Sequence, residues 1–416
     1  MAAFNVPSIK KEGSPMRKLA ISLLACSAIY STTASAEITN ETVRIGVLTD
    51  YTGMFAGLSG PGGEIAARMA IDDFGGQVGG VPIELMSADH QNKADLGSAL
   101  VRRWYDEDGV DLVVDVPNSS VALAVQAIAN ERQKLVIYAG AGTADLTGKA
   151  CMPTGFQWVW DTYSVAVSTG RATLDEGLKD WYIIAADYAF GQTMTNDITK
   201  IVEANGGKVV GTTKHPINTP DLSSFILQAQ GAAPDVIALA NGGADMINTI
   251  KQFAEFGGAS SGSKLAGLAV FISDIHGVGL ESAQGMVLTT GFYWDRTDAT
   301  REWSKRFFDK HGAMPTMAQA GVYSAVTHYL HAVEALNDDD PVKVAEQMRK
   351  TPVNDIFVEN GSIREDGRML HDMYLVEVKK PEDVRYPWDY YSILRTVPAA
   401  DTVRPLAESA CPLVKS

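Results

Sequence analysis

The 416 residues suffice for two domains of ordinary size, and a 46% share of hydrophobic residues excludes a globally disordered chain. With 35 basic against 50 acidic side chains the net charge is −15, which argues against nucleic acid and anionic membrane as partners.

The first 36 residues read as an export signal rather than as part of a fold. Arg17 and Lys18 precede a weakly apolar run from Leu19 to Tyr30, and Ala34-Ser35-Ala36 forms a small-x-small cleavage site before Glu37. The run is well short of the ~20 residues that a membrane span requires. Leu23-Leu24-Ala25-Cys26 loosely resembles a lipid-attachment site, but the better cleavage site lies at Ala36. The segment carries four basic residues and one acidic residue, so its removal takes the net charge from −15 to −18. It also leaves Cys151 and Cys411 as an even pair, which in an oxidising compartment reads as a disulfide.

Val43 to Leu48 is the first strand, and a Gly-rich stretch leads from it into a helix over 64–74. Gly57 to Gly63 lacks the spacing of a dinucleotide loop and is interrupted by Pro61, so it reads as a cleft rim. A strand over 83–87 and an amphipathic helix over 94–107 follow, the helix with Leu96, Leu100, Val101 and Trp104 on one face.

Asp111 to Leu146 is the most informative stretch. A strand from Leu112 to Val116 stops at Pro117-Asn118, Ser119 and Ser120 open a helix, and a strand from Leu135 to Tyr138 ends at Ala139-Gly140-Ala141-Gly142-Thr143. Such a unit puts hydroxyls and N–H groups at the carboxyl ends of parallel strands, where open α/β sheets bind ligands. The helix N-terminus favours an anionic group such as a carboxylate. Ser119 and Thr143 are equally suited to capping their own helical segments, so both roles stay open. No general base or paired nucleophile accompanies them.

From Tyr163 the β-α pattern restarts, with strands over 181–186, 208–213, 236–240 and 268–272 and helices over 165–176, 194–204, 223–230 and 245–256. Two similar α/β domains are the economical reading. The remainder holds helices over 300–311, 318–336 and 342–350 and a hairpin around Asn360-Gly361 and Asp366-Gly367, to be shared between the two domains. Asp338 to Asp340 reads as a solvated capping loop rather than a calcium loop. The seven histidines lack the spacing of a metal or catalytic pair, so no metal, cofactor or catalytic residue is expected.

As a whole the sequence resembles the solute-binding proteins of ABC importers, leucine/isoleucine/valine-binding branch. The resemblance rests on VRIGVLTDYTG, VDVPNSSVALA, LVIYAGAGTADLTG, IIAADYAFGQ, ADMINTIKQFAEFG and AQGMVLTTGFYWD, in one collinear order across 41–380. It implies the type I periplasmic binding fold, an α/β architecture of two Rossmann-like lobes with parallel-sheet cores joined by a three-segment hinge. Crossings are expected near Asp161–Thr162, Thr290–Gly291 and His371–Asp372. Residues 37–161 plus 291–371 then form the N-terminal lobe, and 162–290 plus 372–416 the C-terminal lobe. The resemblance also implies a periplasmic, monomeric, non-enzymatic receptor. It would close on a small carboxylate-bearing solute, an amino acid or a related organic or aromatic acid, and deliver it to a membrane permease.

Carried over by motif, Ser119 and Thr143 meet the ligand carboxylate with Ala141 offering backbone groups, and Asp274 meets an ammonium. Phe190 supplies an aromatic wall, the family's second aromatic falls on Gly242 beside Asn241, and Tyr51 is a further candidate at the rim. The lost aromatic and the shortened acid leave more room than an aliphatic amino acid needs, and the Asn241 amide suits a polar group. Aromatic carboxylates and other small acids or amides therefore stay open. A ligand-sensing module of the same fold is one alternative. An exported amidase-like hydrolase is another, although the nucleophile–base pair it needs is not evident.

Overall fold

The structure is a computed structural model that describes residues 38–415; the expected export signal lies outside them. Its first half contains β1 (Val43–Thr49), α1 (Gly60–Phe74), β2 (Gln77–Val78), β3 (Val81–Asp89), α2 (Ala94–Asp106), β4 (Leu112–Asp115), α3 (Ser119–Glu131), β5 (Leu135–Tyr138) and β6 (Gly155–Gln157). These strands form one sheet in the order β2-β3-β1-β4-β5-β6, parallel except for the short β2. Val, Leu and Ile dominate β4 and β5 because helices cover both faces of the sheet. Every residue of the two strands is buried, and each aliphatic side chain contributes roughly 1.5–3 kcal/mol.

The second unit contains α4 (Thr162–Asp175), β7 (Asp180–Ala186), α5 (Ala189–Ala204), β8 (Lys208–His215), α6 (Ser223–Gly231), β9 (Val236–Ala240), α7 (Ala244–Glu255) and β10 (Lys264–Gly267). Its parallel sheet runs β10-β9-β7-β8. In both sheets, with the short antiparallel β2 left aside, the first strand lies between the second and the third (β1 between β3 and β4, β7 between β8 and β9), so each has its switch point where two loops diverge. The chain continues through α8 (Ile272–Val278), α9 (Leu280–Ala283) and β11 (Val287–Thr290), then returns to the first lobe with α10 (Asp298–His311), α11 (Met317–Leu336) and α12 (Pro341–Lys350). There α1 packs against α10 and α11. The expected hairpin is β12 (Ser362–Ile363) with β13 (Met369–Leu370); β14 (Met373–Val378) then pairs with β11 on one side and β15 (Tyr391–Val397) on the other, and α13 (Ala399–Thr402) follows.

The passages between lobes are tied together. The Arg368 guanidinium donates to the carbonyls of Gln157 and Val159, each at 3.2 Å, and forms a 3.4 Å ion pair with Asp161. His371 Nε2 lies 2.6 Å from the same Val159 carbonyl. Asp161 also opens α4, its carboxylate accepting from the Ser164 N–H at 2.7 Å while Ser164 Oγ accepts from the Asp161 N–H. Cys151 and Cys411 form a disulfide that closes a separation of 260 residues.

Four expectations need correction. The helix expected over 194–204 begins at Ala189 and so includes Phe190. The helix expected over 64–74 begins at Gly60, because Pro61 is tolerated in a first turn, where its missing N–H has no helical partner to lose. The strand expected over 268–272 is β10, at 264–267. Residues 268–271 leave the sheet as a buried loop, and Ile272 already opens α8. A buried loop and a buried strand share the same apolar composition, and periodicity does not separate them. Within the Asp338–Asp340 loop, Asp340 caps α12 as expected, but Asp338 and Asp339 are buried and Asp339 accepts from the backbone and side chain of Thr39.

Candidate functional site

The carboxyl ends of the strands from both sheets meet around a small, nearly closed cavity with a free volume of only about 10 Å³. From the first lobe come Phe55 and Leu58 after β1, Pro117 after β4, Gly140 and Gly142 after β5, and Trp160 after β6. From the second come Tyr188 and Phe190 after β7, Gly242 after β9, and Ala269 and Phe271 after β10. None of these side chains is charged. Trp160 forms the hub, edge-on to Phe190 at 5.8 Å and to Phe271 at 5.4 Å between ring centres, while Tyr188 lies 5.9 Å from Phe190. Such edge-to-face geometry places positive ring edges on negative faces and fixes the walls. The buried Trp160 indole N–H has no hydrogen-bond partner among the described residues.

The sequence-derived residues divide into two groups. Phe190 and Gly242 line the cavity. Ser119 is not among the lining residues; it is buried at the first turn of α3, and the helix cap is instead Asn118, whose carbonyl oxygen accepts from the N–H groups of Ser120 and Val121. The Ser119 hydroxyl is thereby left to accept from the Thr143 N–H at 3.2 Å. The Thr143 hydroxyl reaches across the cleft to that of Thr193 on α5, at 2.9 Å.

The others are turned elsewhere. Ala141 is fully buried, its carbonyl accepting from Gln157 Nε2 at 3.1 Å, while its neighbours Gly140 and Gly142 face the cavity. In an extended segment a one-residue step reverses the face, so the backbone stretch is the expected one and the lining residues are its alternate members. The Asn241 amide donates into the second lobe, to His215 Nε2 at 3.1 Å and Thr249 Oγ at 3.0 Å. The Asp274 carboxylate accepts from the Phe271 N–H at 3.0 Å and caps α8, and burial pushes its pKa up to about 7. The Tyr51 hydroxyl pairs with Glu64; burial, reinforced by that carboxylate, raises its pKa to about 12. Asp115, at the end of β4, accepts from Ser59 Oγ at 2.7 Å and has a second, buried oxygen without a partner. Burial raises its pKa to about 7 as well.

Sequence reading did not single out Phe55, Leu58, Pro117, Gly140, Gly142, Tyr188 or Phe271 as a wall. The available signal was positional: each follows a parallel strand by a few residues.

The family model for periplasmic binding proteins matches residues 42–383. The chain belongs to that family. This periplasmic binding protein is 44% identical to one from Burkholderia mallei whose crystal structure superposes with a TM-score of 0.89, over 90% of this chain and 100% of that one. It is 38% identical, with a TM-score of 0.80 and the same coverage, to a branched-chain amino acid ABC transporter periplasmic ligand-binding protein from Burkholderia xenovorans. The Leu/Ile/Val-binding protein homolog 6 of Brucella melitensis is 24% identical over 386 residues, 89% of this chain and 95% of that protein. The type I two-lobed fold is therefore the family's own. A periplasmic binding protein of this kind is a solute binder and not an enzyme.

Proposed function

We propose that this periplasmic binding protein captures a small monocyclic aromatic carboxylate between its lobes and delivers it unaltered to the membrane permease of an ABC importer. The observation that carries the reading is an uncharged cavity walled by aromatic rings, among them Trp160, whose buried indole N–H has no partner among the described residues. Flat rings suit a flat ligand. An indole N–H serves an acceptor such as a carboxylate, and the Ser119 hydroxyl, which accepts from the Thr143 N–H and keeps its own proton to donate, adds a charge-assisted hydrogen bond.

An amino acid would bring an ammonium as well. No acidic side chain lines the cavity, and the Asp274 carboxylate is engaged with its own helix, so that ammonium would be buried without a counter-charge. Two proteins of this fold from Rhodopseudomonas palustris, 19% and 20% identical to this chain, have been crystallised with benzoate and 4-hydroxybenzoate. They support the compatibility of the fold with such ligands. Delivery follows from closure, since a ligand that binds only the closed form shifts the population that a permease can select.

The test is thermal unfolding of the exported chain with benzoate, 4-hydroxybenzoate, leucine and isoleucine. The two aromatic acids should raise the melting temperature in a concentration-dependent way and the aliphatic amino acids should not. Stabilisation by leucine alone would replace the aromatic reading with an aliphatic one.

A further inference from the structure

The segment between β1 and α1 reaches across the cleft. On its own side it is firmly braced. The Asp50 carboxylate accepts from the N–H groups of Gly53 at 2.8 Å and Phe55 at 2.9 Å, and from Asn92 Nδ2 at 2.6 Å. Thr316 Oγ and Gln319 Nε2, both on α11 or its cap, donate to the carbonyls of Leu58 and Ser59. The tip is therefore a rigid prong rather than a floppy loop.

The tip meets the second lobe at three points. The Met54 carbonyl accepts from the Ala244 N–H at 3.1 Å, the first residue of α7. An N–H in a first helical turn has no partner within its own helix, so the Met54 carbonyl satisfies a donor that the helix itself cannot. Phe55 packs over Gly242 and Gly243: a Cβ on the first would lie 3.8 Å from the Phe55 ring and one on the second 3.2 Å. Gly57 faces Ser273, with 3.6 Å between a Cβ built on Gly57 and the Ser273 Cβ. Gly243 admits no other residue in this arrangement. Its φ is +58°, and a Cβ there would fall 2.2 Å from the Met54 oxygen.

We propose that the prong is a closure latch, in which the Met54 carbonyl seats on the first turn of α7 and Phe55 fills the space that Gly242 and Gly243 leave open. The latch rests on the reading of the cleft as a closing ligand site, and it deepens that reading. The aromatic wall that the second lobe lacks at position 242 is donated by the first lobe, so the wall exists only once the lobes have met. Met54, Gly243 and Ala244 act as positioning residues, holding Phe55 against the cavity.

The test needs no ligand. In the full chain, Gly57→Cys with Ser273→Cys places two thiols whose Cβ separation suits a disulfide in the closed form. The rate of cross-linking under mild oxidation, read by mass after alkylation, reports closure. Ala244→Pro removes the latch donor, while proline at the first helical position preserves the helix and the Ala244 side chain is exposed. It should slow cross-linking roughly three- to tenfold, as expected for one hydrogen bond, with an unchanged circular dichroism spectrum. Gly243→Ala and Phe55→Ala should each slow it as well, and they keep the question answerable if Ala244→Pro misfolds. Equal rates in parent and variants overturn the latch. Failure of benzoate to stabilise the parent would instead overturn the ligand class, and the cross-linking result would stand apart from it.

Discussion

The two lobes share a strand order yet bring different chemistry to the cleft. The second lobe presents side chains, with Tyr188 from the loop after β7, Phe190 from the first turn of α5 and Phe271 from the loop after β10. The first lobe presents Phe55, Leu58 and Trp160 together with small groups at Pro117, Gly140 and Gly142, next in sequence to the hydrogen-bonded pair of Ser119 Oγ and Thr143 N–H. Glycine is needed at 142 because a Cβ there would lie 2.4 Å from the Trp160 ring. One topology thus supplies an apolar bank and a mixed bank that carries hydrogen-bonding groups as well as rings. The topology fixes where the loops emerge, and the residues at each loop decide what they do there.

Four experiments bear on that contrast. The largest effect is expected on the apolar bank. Phe190→Ala removes a buried ring in contact with Trp160 and should cost ~3–5 kcal/mol of stability by denaturant unfolding, together with the benzoate response. If it costs no more than Pro117→Ala on the opposite bank, the second lobe does not rely on its rings. Next comes the tether. Removing the disulfide by Cys151→Ser with Cys411→Ser should cost ~2–5 kcal/mol, because the bridge closes a long loop in the unfolded chain. Reductant should mimic the double variant in the parent and leave the variant unchanged.

On the mixed bank, Ser119→Ala strands the buried Thr143 N–H and should weaken acid binding by ~1–3 kcal/mol in a calorimetric titration. Asp274→Asn should leave that affinity unaltered, because its carboxylate holds α8 rather than the ligand. An equal loss in both variants would erase the distinction between the banks.

The smallest effect is in pH. Burial raises the folded-state pKa of Asp115 and Asp274 to about 7, well above the unfolded value, so the native state holds protons that the unfolded chain has released. Their stabilisation is present at low pH and is lost as pH rises through 7. Stability should therefore fall as pH rises from about 4 to 7 and level off above that. Asp115→Asn should remove about half of that slope. Buried His90 and His371, whose folded pKa values are lowered to about 4 by burial, act in the opposite direction, lowering stability as pH falls from about 6.5 to 4.

Much of this architecture could be read from residue order. The strand Leu135–Tyr138 and the strand Val236–Ala240 stand where the apolar runs place them, because short runs bounded by turn residues leave little choice of register. Gly60 and the 268–271 loop show the limit. A first helical turn rich in glycine carries no periodicity, and a buried loop matches a strand in composition.

The cleft was legible as a place but not as a set of side chains. Sequence alone determined two β-α series, the ends of their strands and that the turns at Pro117 and at Gly140–Gly142 stand at the cleft, since hydrophobic periodicity and turn chemistry are local properties. Tertiary structure alone decided that Gly140 and Gly142, rather than Ala141, face inward, that Asn241 and Asp274 serve their own lobe, and that Phe55 crosses over to meet Gly242. The physical reason is that a face, a partner and a shared wall are relations between segments distant in the chain, set by packing that no local pattern encodes.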